Sequence, residues 1–178
     1  LSHVFERMAT YGISLYCGCE ISFAQSIDTI AKNILEIKPS VMATVPRLLE
    51  RIEARVKKNA LSGKKYKVAI FNWAVSVGNE ARILREDAKS YPFILKLKLA
   101  IAEKLVFSKI KARLGGKMRI LISGGAALPQ HVGEFFANIG VRILEGYGLT
   151  ETSPVITVNE FDRQIIGTVG RVMPGITV

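Results

Sequence analysis

The stretch that decides the fold reads VRILEGYGLTE and covers residues 141–151. Its first four residues are largely apolar and rich in β-branched side chains, which predicts a short buried strand. Tyr147 then stands between two glycines, and a hydroxyl and a carboxylate follow at Thr150 and Glu151. Because glycine has no Cβ atom, we expect the backbone on either side of Tyr147 to be able to approach a ligand closely.

The side chains in this stretch have the chemistry of a nucleotide site. A tyrosine ring can stack on a flat heteroaromatic ring, Thr150 can donate to a phosphate oxygen, and Glu151 offers the oxygen ligands that Mg²⁺ prefers. One interpretation of these residue types is a nucleoside triphosphate site. The other interpretation is a glycine-rich turn with Tyr147 as a half-buried core aromatic, and the residue types alone favour neither.

A second small-residue motif follows another predicted strand. Residues 118–122 have a strand pattern, and SGGAAL at 123–128 comes directly after them. Because ligands of parallel sheets bind beyond the carboxyl ends of the strands, the loops after Ile122 and Leu144 should open on one edge. We expect them to form opposite walls of one pocket, a purine's thickness apart. A loop that merely leads into a helix at Pro129 is one alternative. A dinucleotide-binding loop is the other and is the weaker of the two, because the glycine spacing of that fingerprint is absent.

Short apolar runs alternate with helical patterns along the chain, which is typical of an α/β fold with a mostly parallel sheet flanked by helices. Strands are predicted at 18–24 (centred on 20–23), 41–45, 118–122 and 141–144. Helices are predicted at 4–16, from an N-cap at Ser26 to about 36, from Pro46 to about 59, and at 129–138. Two long helices, at 66–87 and 93–114, form an insert of about residues 64–116.

Composition indicates a folded globular chain. The 178 residues are 49% hydrophobic, and no run of about 18 uncharged apolar residues suggests a membrane span. Two cysteines, Cys17 and Cys19, are too few for a disulfide framework or a structural zinc site, so a reduced, cytoplasmic setting is expected. The chain starts at Leu1 without a methionine, and we expect it to be a piece of a longer protein.

The net charge of +10 is concentrated in one part of the chain. Residues 47–119 hold 19 of the 25 basic and 6 of the 15 acidic residues, so this part carries +13 and the remainder −3. Three interpretations of the basic insert are open: a solvated charged face, a patch that rests on an anionic membrane, and nucleic-acid binding. Nucleic-acid binding is the weakest, because no recognition motif or aromatic stacking platform accompanies the charge.

The run EGYGLTETSP at 145–154 resembles the signature of the adenylate-forming superfamily, which includes acyl-CoA synthetases, luciferases and peptide-synthetase adenylation domains. Three further stretches are similar to that family in the same order: LSHVFER at 1–7, SGGAAL at 123–128 and GTVGRVMPG at 167–175. Together they span nearly the whole chain. The SHVFER form and the long insert before Met118 most resemble long-chain fatty acyl-CoA synthetases.

The resemblance implies roles for residues of three of these motifs. It places Gly124, Gly125 and Ala126 on one face of the adenine and Tyr147, between Gly146 and Gly148, on the other. It places Glu145 by the adenine amino group, Thr150 by the α-phosphate, and Glu151 as the ligand of Mg²⁺. His3 would lie by the acyl carboxylate or the α-phosphate. By itself His3 would be read as a polar surface residue.

The activity that the resemblance implies has two half-reactions. A fatty acid and ATP would give acyl-AMP and pyrophosphate, and the thiol of CoA would then displace AMP. The phosphate loop, the ribose-binding acid and a catalytic lysine are expected outside this chain, so the chain alone should be inactive. A non-catalytic nucleotide-binding or membrane-docking module, and an adenylating enzyme for another carboxylic acid, are the alternatives. The sequence leaves acyl chain length and oligomeric state open.

Overall fold

A computed structural model describes residues 3–178, and it contains a mixed sheet with strand order β1-β2-β3-β4-β5. Strands β1 to β3 pair in parallel, and β4 and β5 extend the sheet antiparallel beyond β3. The strands are β1 (Val41–Thr44), β2 (Ile120–Ser123), β3 (Arg142–Tyr147), β4 (Thr157–Val158) and β5 (Arg171–Val172). The α/β class expected from the sequence is therefore confirmed.

The helices precede and connect these strands. The first helical run consists of α1 (Val4–Glu6), a π-helical segment (Arg7–Gly12) and α2 (Ile13–Tyr16). Then come α3 (Ile30–Ile37), α4 (Pro46–Leu61), α5 (Lys65–Glu86), α6 (Phe93–Ala102), a π-helical segment (Glu103–Phe107), α7 (Ser108–Arg113) and α8 (Gln130–Asn138). No helix within residues 3–178 is long and apolar enough to cross a membrane.

The core lies between one face of the parallel strands and helices α4 to α8. Strand burial alternates, so Leu121 and Ile143 point into this core with 0% and 1% of their surface exposed. Phe136 of α8 is fully buried and meets Phe135 edge to face, with ring centroids 5.5 Å apart. Because Leu121 and Ile143 are packed in this core, β2 and β3 are anchored just before the loops that follow them.

The helical insert is held on α8 by close backbone packing and by arginines. A Cβ atom at Gly78 of α5 would stand 2.3 Å from the carbonyl oxygen of Asn138, so only glycine allows this approach. Arg82 donates to the Asn138 side chain at 3.1 Å, and Arg85 donates to the Ala137 carbonyl at 3.2 Å. The predicted helices at 66–87 and 93–114 are confirmed as α5 and as the run from α6 to α7.

Two local predictions are wrong. Residues 18–24 form no strand, and Phe23 within them is 51% exposed. The helix expected from Ser26 begins only at Ile30. Ser26 and Thr29 each donate a backbone N–H to the other's side-chain oxygen, at 3.0 and 3.2 Å, and this closed turn replaces the first helical turn.

Candidate active site

A row of buried polar side chains marks the carboxyl edge of the parallel strands. In the strand register Thr44 pairs with Ser123, and Ser123 pairs with Glu145, at the same level of β1, β2 and β3. Their exposed fractions are 8%, 2% and 7%. The segments that follow Ser123 and Glu145 therefore leave the sheet side by side, as the sequence predicted for the two motifs.

Glu145 joins three of the four sequence motifs. Burial raises the pKa of its carboxyl group above the ordinary value of 4.5, while hydrogen bonds from the backbone of Gly167 and Leu128 lower it. The Glu145 carbonyl also accepts from the backbone N–H of Asn159 at 2.9 Å. One residue thus ties β3 to the end of the SGGAAL loop and to the start of the GTVG segment.

The loop after β2 is packed on one side and open on the other. A Cβ atom at Gly124 would stand 2.8 Å from Phe5 Cε2, so the ring of Phe5 covers this glycine. Gly125 has φ +83°, which favours glycine, and nothing lies within 4 Å of its missing Cβ atom. Of the two adjacent glycines expected on the adenine, Gly125 faces open space and Gly124 faces the protein's own aromatic ring.

His3 reaches the same edge through Phe5. It caps α1, and its Nδ1 atom accepts the backbone N–H of Phe5 at 3.2 Å. The side chain is exposed, and with Nδ1 acting as the acceptor, Nε2 is the nitrogen that carries the proton in the neutral ring. The structure therefore brings the first motif to the SGGAAL loop. Leu1 and Ser2 of this motif lie outside the described residues.

Tyr147 is the last residue of β3, and 49% of its surface is exposed. The sequence pattern predicts Tyr147 in a loop, after a strand that ends at Leu144. The strand is longer because Gly146 and Tyr147 pair antiparallel with Val158 and Thr157. Its ring is not part of the buried core cluster.

The chain's own backbone requires glycine at position 148 and leaves little room for a side chain at Gly146. A Cβ atom at Gly148 would stand 1.5 Å from the carbonyl oxygen of Pro154, and one at Gly146 would stand 3.2 Å from that of Thr157. We had interpreted both glycines as room for a ligand. The structure gives a different reason at Gly148, where the close approach is that of the β3–β4 connection, and at Gly146 the near atom belongs to the paired strand β4.

Thr150 and Glu151 begin a single 3₁₀ turn, Thr150–Thr152, and both side chains are exposed. Within the described part of the chain neither side chain makes a hydrogen bond or an ion pair. A lone exposed carboxylate fits Mg²⁺, which is commonly bound by one or two carboxylates together with substrate phosphates. The donor chemistry of Glu151 thus suits the predicted metal.

The whole chain matches the sequence profile of one enzyme family. The sequence profile described as AMP-binding enzyme matches residues 1–178, the whole chain. The chain belongs to the family of AMP-binding enzymes. The superfamily suggested by the four motifs is therefore confirmed.

Relatives of this AMP-binding chain are named as fatty acid ligases. It is 32% identical over 176 residues to a long-chain-fatty-acid–CoA ligase of Mycobacterium bovis, covering 98% of this chain and 28% of the relative. It is 33% identical over 180 residues to the peroxisomal long chain acyl-CoA synthetase 6 of Arabidopsis thaliana, covering 100% and 24%. A solved benzoate CoA ligase of Burkholderia xenovorans LB400 aligns at TM-score 0.49 and 22% identity, covering 91% and 23%. The chain spans about a quarter of the length of these proteins.

Two residues that shape the site of this AMP-binding chain were missed from the sequence. Asn159 is 3% exposed; it donates to the Thr168 carbonyl at 2.6 Å and accepts the Ile165 N–H at 3.2 Å, which anchors the loop that carries Gly167. Thr152 accepts the Leu149 N–H at 3.0 Å and so fixes the turn that presents Glu151. The signal for Asn159 was its place before a turn-rich stretch, where asparagine commonly bonds to nearby backbone.

Proposed function

We propose that the chain is part of the large N-terminal, AMP-binding domain of a long-chain fatty acid–CoA ligase. The observation that carries the proposal is the alignment of Ser123 with Glu145 at the carboxyl edge, with Glu145 hydrogen bonded to both neighbouring motifs. The two motifs proposed to bind the nucleotide therefore start from neighbouring, hydrogen-bonded positions of the sheet. The names of the relatives support a fatty acid as the substrate and CoA as the acceptor.

The proposed reaction has two steps: two anions react to form acyl-AMP, and CoA then displaces AMP. A carboxylate oxygen of the fatty acid attacks the α-phosphorus of ATP, pyrophosphate leaves with the electrons of the broken P–O bond, and acyl-AMP forms. The CoA sulfur then attacks the acyl carbon, and AMP leaves. Catalysis of the first step is largely positioning and charge neutralisation, since like charges must approach.

The residues of this chain would supply the positioning. The adenine would lie between Tyr147 and the loop at Gly124, Gly125 and Ala126, where Gly125 faces open space. Thr150 would donate to the α-phosphate, and His3 would orient the carboxylate. The exposed carboxylate of Glu151 would hold Mg²⁺, which would supply positive charge to offset that of the phosphates.

The direct test is pyrophosphate exchange by the full-length protein with a series of fatty acids of increasing chain length. We expect labelled pyrophosphate to enter ATP only when a long-chain acid and Mg²⁺ are present. The 178-residue chain alone should show no exchange. Exchange with aryl or short acids but not with long-chain acids would make the parent an adenylating enzyme for another carboxylic acid. Nucleotide binding without exchange would identify a non-catalytic module.

We also propose that the parent acts in the cytoplasm as a peripheral protein at anionic membranes. One stripe of the helix from α6 to α7 packs into the core through Leu95, Ala102, Val106 and Ile110. The second stripe is solvent-facing, with exposed fractions of 67% at Ile94, 56% at Leu97, and 43% at both Ile101 and Leu105. An exposed apolar stripe on a basic helix favours contact with a lipid surface.

Lysines border this stripe. Residues 93–113 hold six basic residues and one acid, Glu103, and that acid is paired with Lys111 at 2.8 Å. Lys98 follows Ile94 by four residues and Lys104 follows Ile101 by three, so both lie beside the stripe, and both are exposed. Vesicle co-sedimentation should therefore rise with the anionic lipid fraction and fall with salt. Equal binding to neutral vesicles would contradict the electrostatic part of this proposal.

A further inference from the structure

A groove between α3, α4 and α7 combines an apolar floor with unpaired arginines. It has a volume of about 460 Å³, and none of the residues that line it belongs to the segments after Ser123 and Glu145. Leu48, Ile52 and Val56 of α4 form one wall, and Ile34 of α3 and Ile110 of α7 contribute to the others. The exposed stripe of α6 takes no part in it.

Three arginines line the groove: Arg51 and Arg55 of α4, one turn apart, and Arg113 of α7. Throughout residues 3–178 none of their three guanidinium groups makes an ion pair or a hydrogen bond. Two arginines outside the groove are paired instead: Arg82 with Glu86 at 2.8 Å, and Arg142, which donates to the Phe161 carbonyl at 2.6 Å.

The charge of the groove selects the kind of ligand. Asp28 is the one carboxylate among the lining residues, so three guanidinium groups leave an excess of two positive charges. Guanidinium groups bind carboxylates through paired, charge-assisted hydrogen bonds. The apolar floor can cover an alkyl chain, whose burial is favourable in proportion to the area removed from water. The fitting ligand is a single-chain amphiphile with an anionic head.

We propose that this groove binds one long-chain fatty acid at a site separate from the adenylation site. The alkyl chain lies along Leu48, Ile52 and Val56, and the carboxylate lies between Arg51, Arg55 and Arg113. The anionic amphiphile follows from the groove itself, and the choice of a fatty acid rests on the proposed function. A second site of this kind would hold substrate on the protein before activation.

The test measures binding of the fluorescent fatty acid parinarate to the full-length protein, with the adenylation site filled by an acyl-sulfamoyl adenosine. We expect one remaining site that palmitate displaces. Arg51→Gln with Arg55→Gln should raise the Kd of that site at least about tenfold, because charge-assisted hydrogen bonds are lost. Arg47→Gln with Arg163→Gln, at exposed arginines outside the groove, should leave the Kd within about twofold.

Further measurements separate the proposal from its rivals. Arg51→Lys with Arg55→Lys keeps the charge and should recover part of the affinity, and circular dichroism should show all variants folded. An unchanged Kd in the glutamine variant, or equal displacement by hexadecanol, would overturn the proposal. So would tighter displacement by lysophosphatidate than by palmitate, or a dimer in sedimentation that the glutamine variant abolishes. If the full-length protein binds fatty acid in this groove but shows no pyrophosphate exchange, the result counts against the ligase function and not against the groove.

Discussion

The ring of Phe5 lies where a side chain at Gly124 would begin, because a Cβ atom there would stand 2.8 Å from Phe5 Cε2 and 3.1 Å from Cζ. This contact couples the helix that follows His3 to the loop that follows β2. Two motifs separated by more than a hundred residues therefore share one boundary of the candidate site.

Gly124→Ala should destabilise the domain by about 1–3 kcal/mol, because the added methyl group overpacks against the Phe5 ring. Phe5→Leu removes the outer ring atoms, so the double variant should be more stable than the sum of the two single changes implies. Urea unfolding of the four proteins measures the coupling. Strictly additive effects would mean that Phe5 does not cover Gly124.

Gly148→Ala should cost about 3 kcal/mol or more, since its Cβ atom would stand 1.5 Å from the Pro154 carbonyl oxygen and backbone would have to move. Gly63→Ala is the matched control. Its Cβ atom would meet its neighbours at 3.4 Å or more, so the effect should be small and of either sign. Thermal unfolding of both variants gives the comparison. A mild effect at Gly148 would show that the β3–β4 connection adapts easily.

Glu145 predicts a pH dependence of stability. Because burial raises the pKa of its carboxyl group above 4.5, the unfolded state ionises first as pH rises. The neutral carboxyl group makes its full contribution to the free energy of unfolding below pH 4.5. This contribution is lost as the pH rises through the raised pKa. Glu145→Gln removes this loss. The difference in melting temperature between the variant and the unsubstituted protein should therefore increase in favour of the variant as the pH rises from 4.5 through the raised pKa. Parallel curves for the two proteins would contradict the assignment.

The exposed stripe of α6 predicts which changes release the protein from vesicles. Leu97→Ser with Ile101→Ser should weaken binding to anionic vesicles about tenfold or more, because apolar area no longer enters the interface. Leu61→Ser with Ile83→Ser, at apolar residues that are similarly exposed outside the stripe, should have little effect. Co-sedimentation measures both. Equal losses in the two pairs would argue against a specific face.

The sequence predicted the parts of this fold that repeat a pattern. Short apolar runs predict strands β1 to β3, and apolar stripes predict the long helix at 93–114. The common edge of Ser123 and Glu145 follows from the rule for parallel strands. Strands β4 and β5 are two residues each, too short for any period to appear. The turn between Ser26 and Thr29 was misread because side chains that can cap a helix can equally close a turn before it.

Contacts between distant residues could not be predicted from local sequence. The hydrogen bond from Gly167 to Glu145 and the approach of Pro154 to Gly148 depend on where β3 ends. A glycine that makes room for a ligand and one that makes room for backbone look the same in a sequence. The geometry distinguishes them: Gly125 faces open space, and Gly148 does not.

The central claim is that the segments after Ser123 and Glu145 enclose an adenine. Photolabelling of the full-length protein with a photoreactive azido-ATP, followed by peptide mapping, tests it most directly. We predict that the label appears on Tyr147 or within residues 123–128, and that AMP prevents it. Label confined to other parts of the protein, with both of these peptides unmodified, would contradict the account.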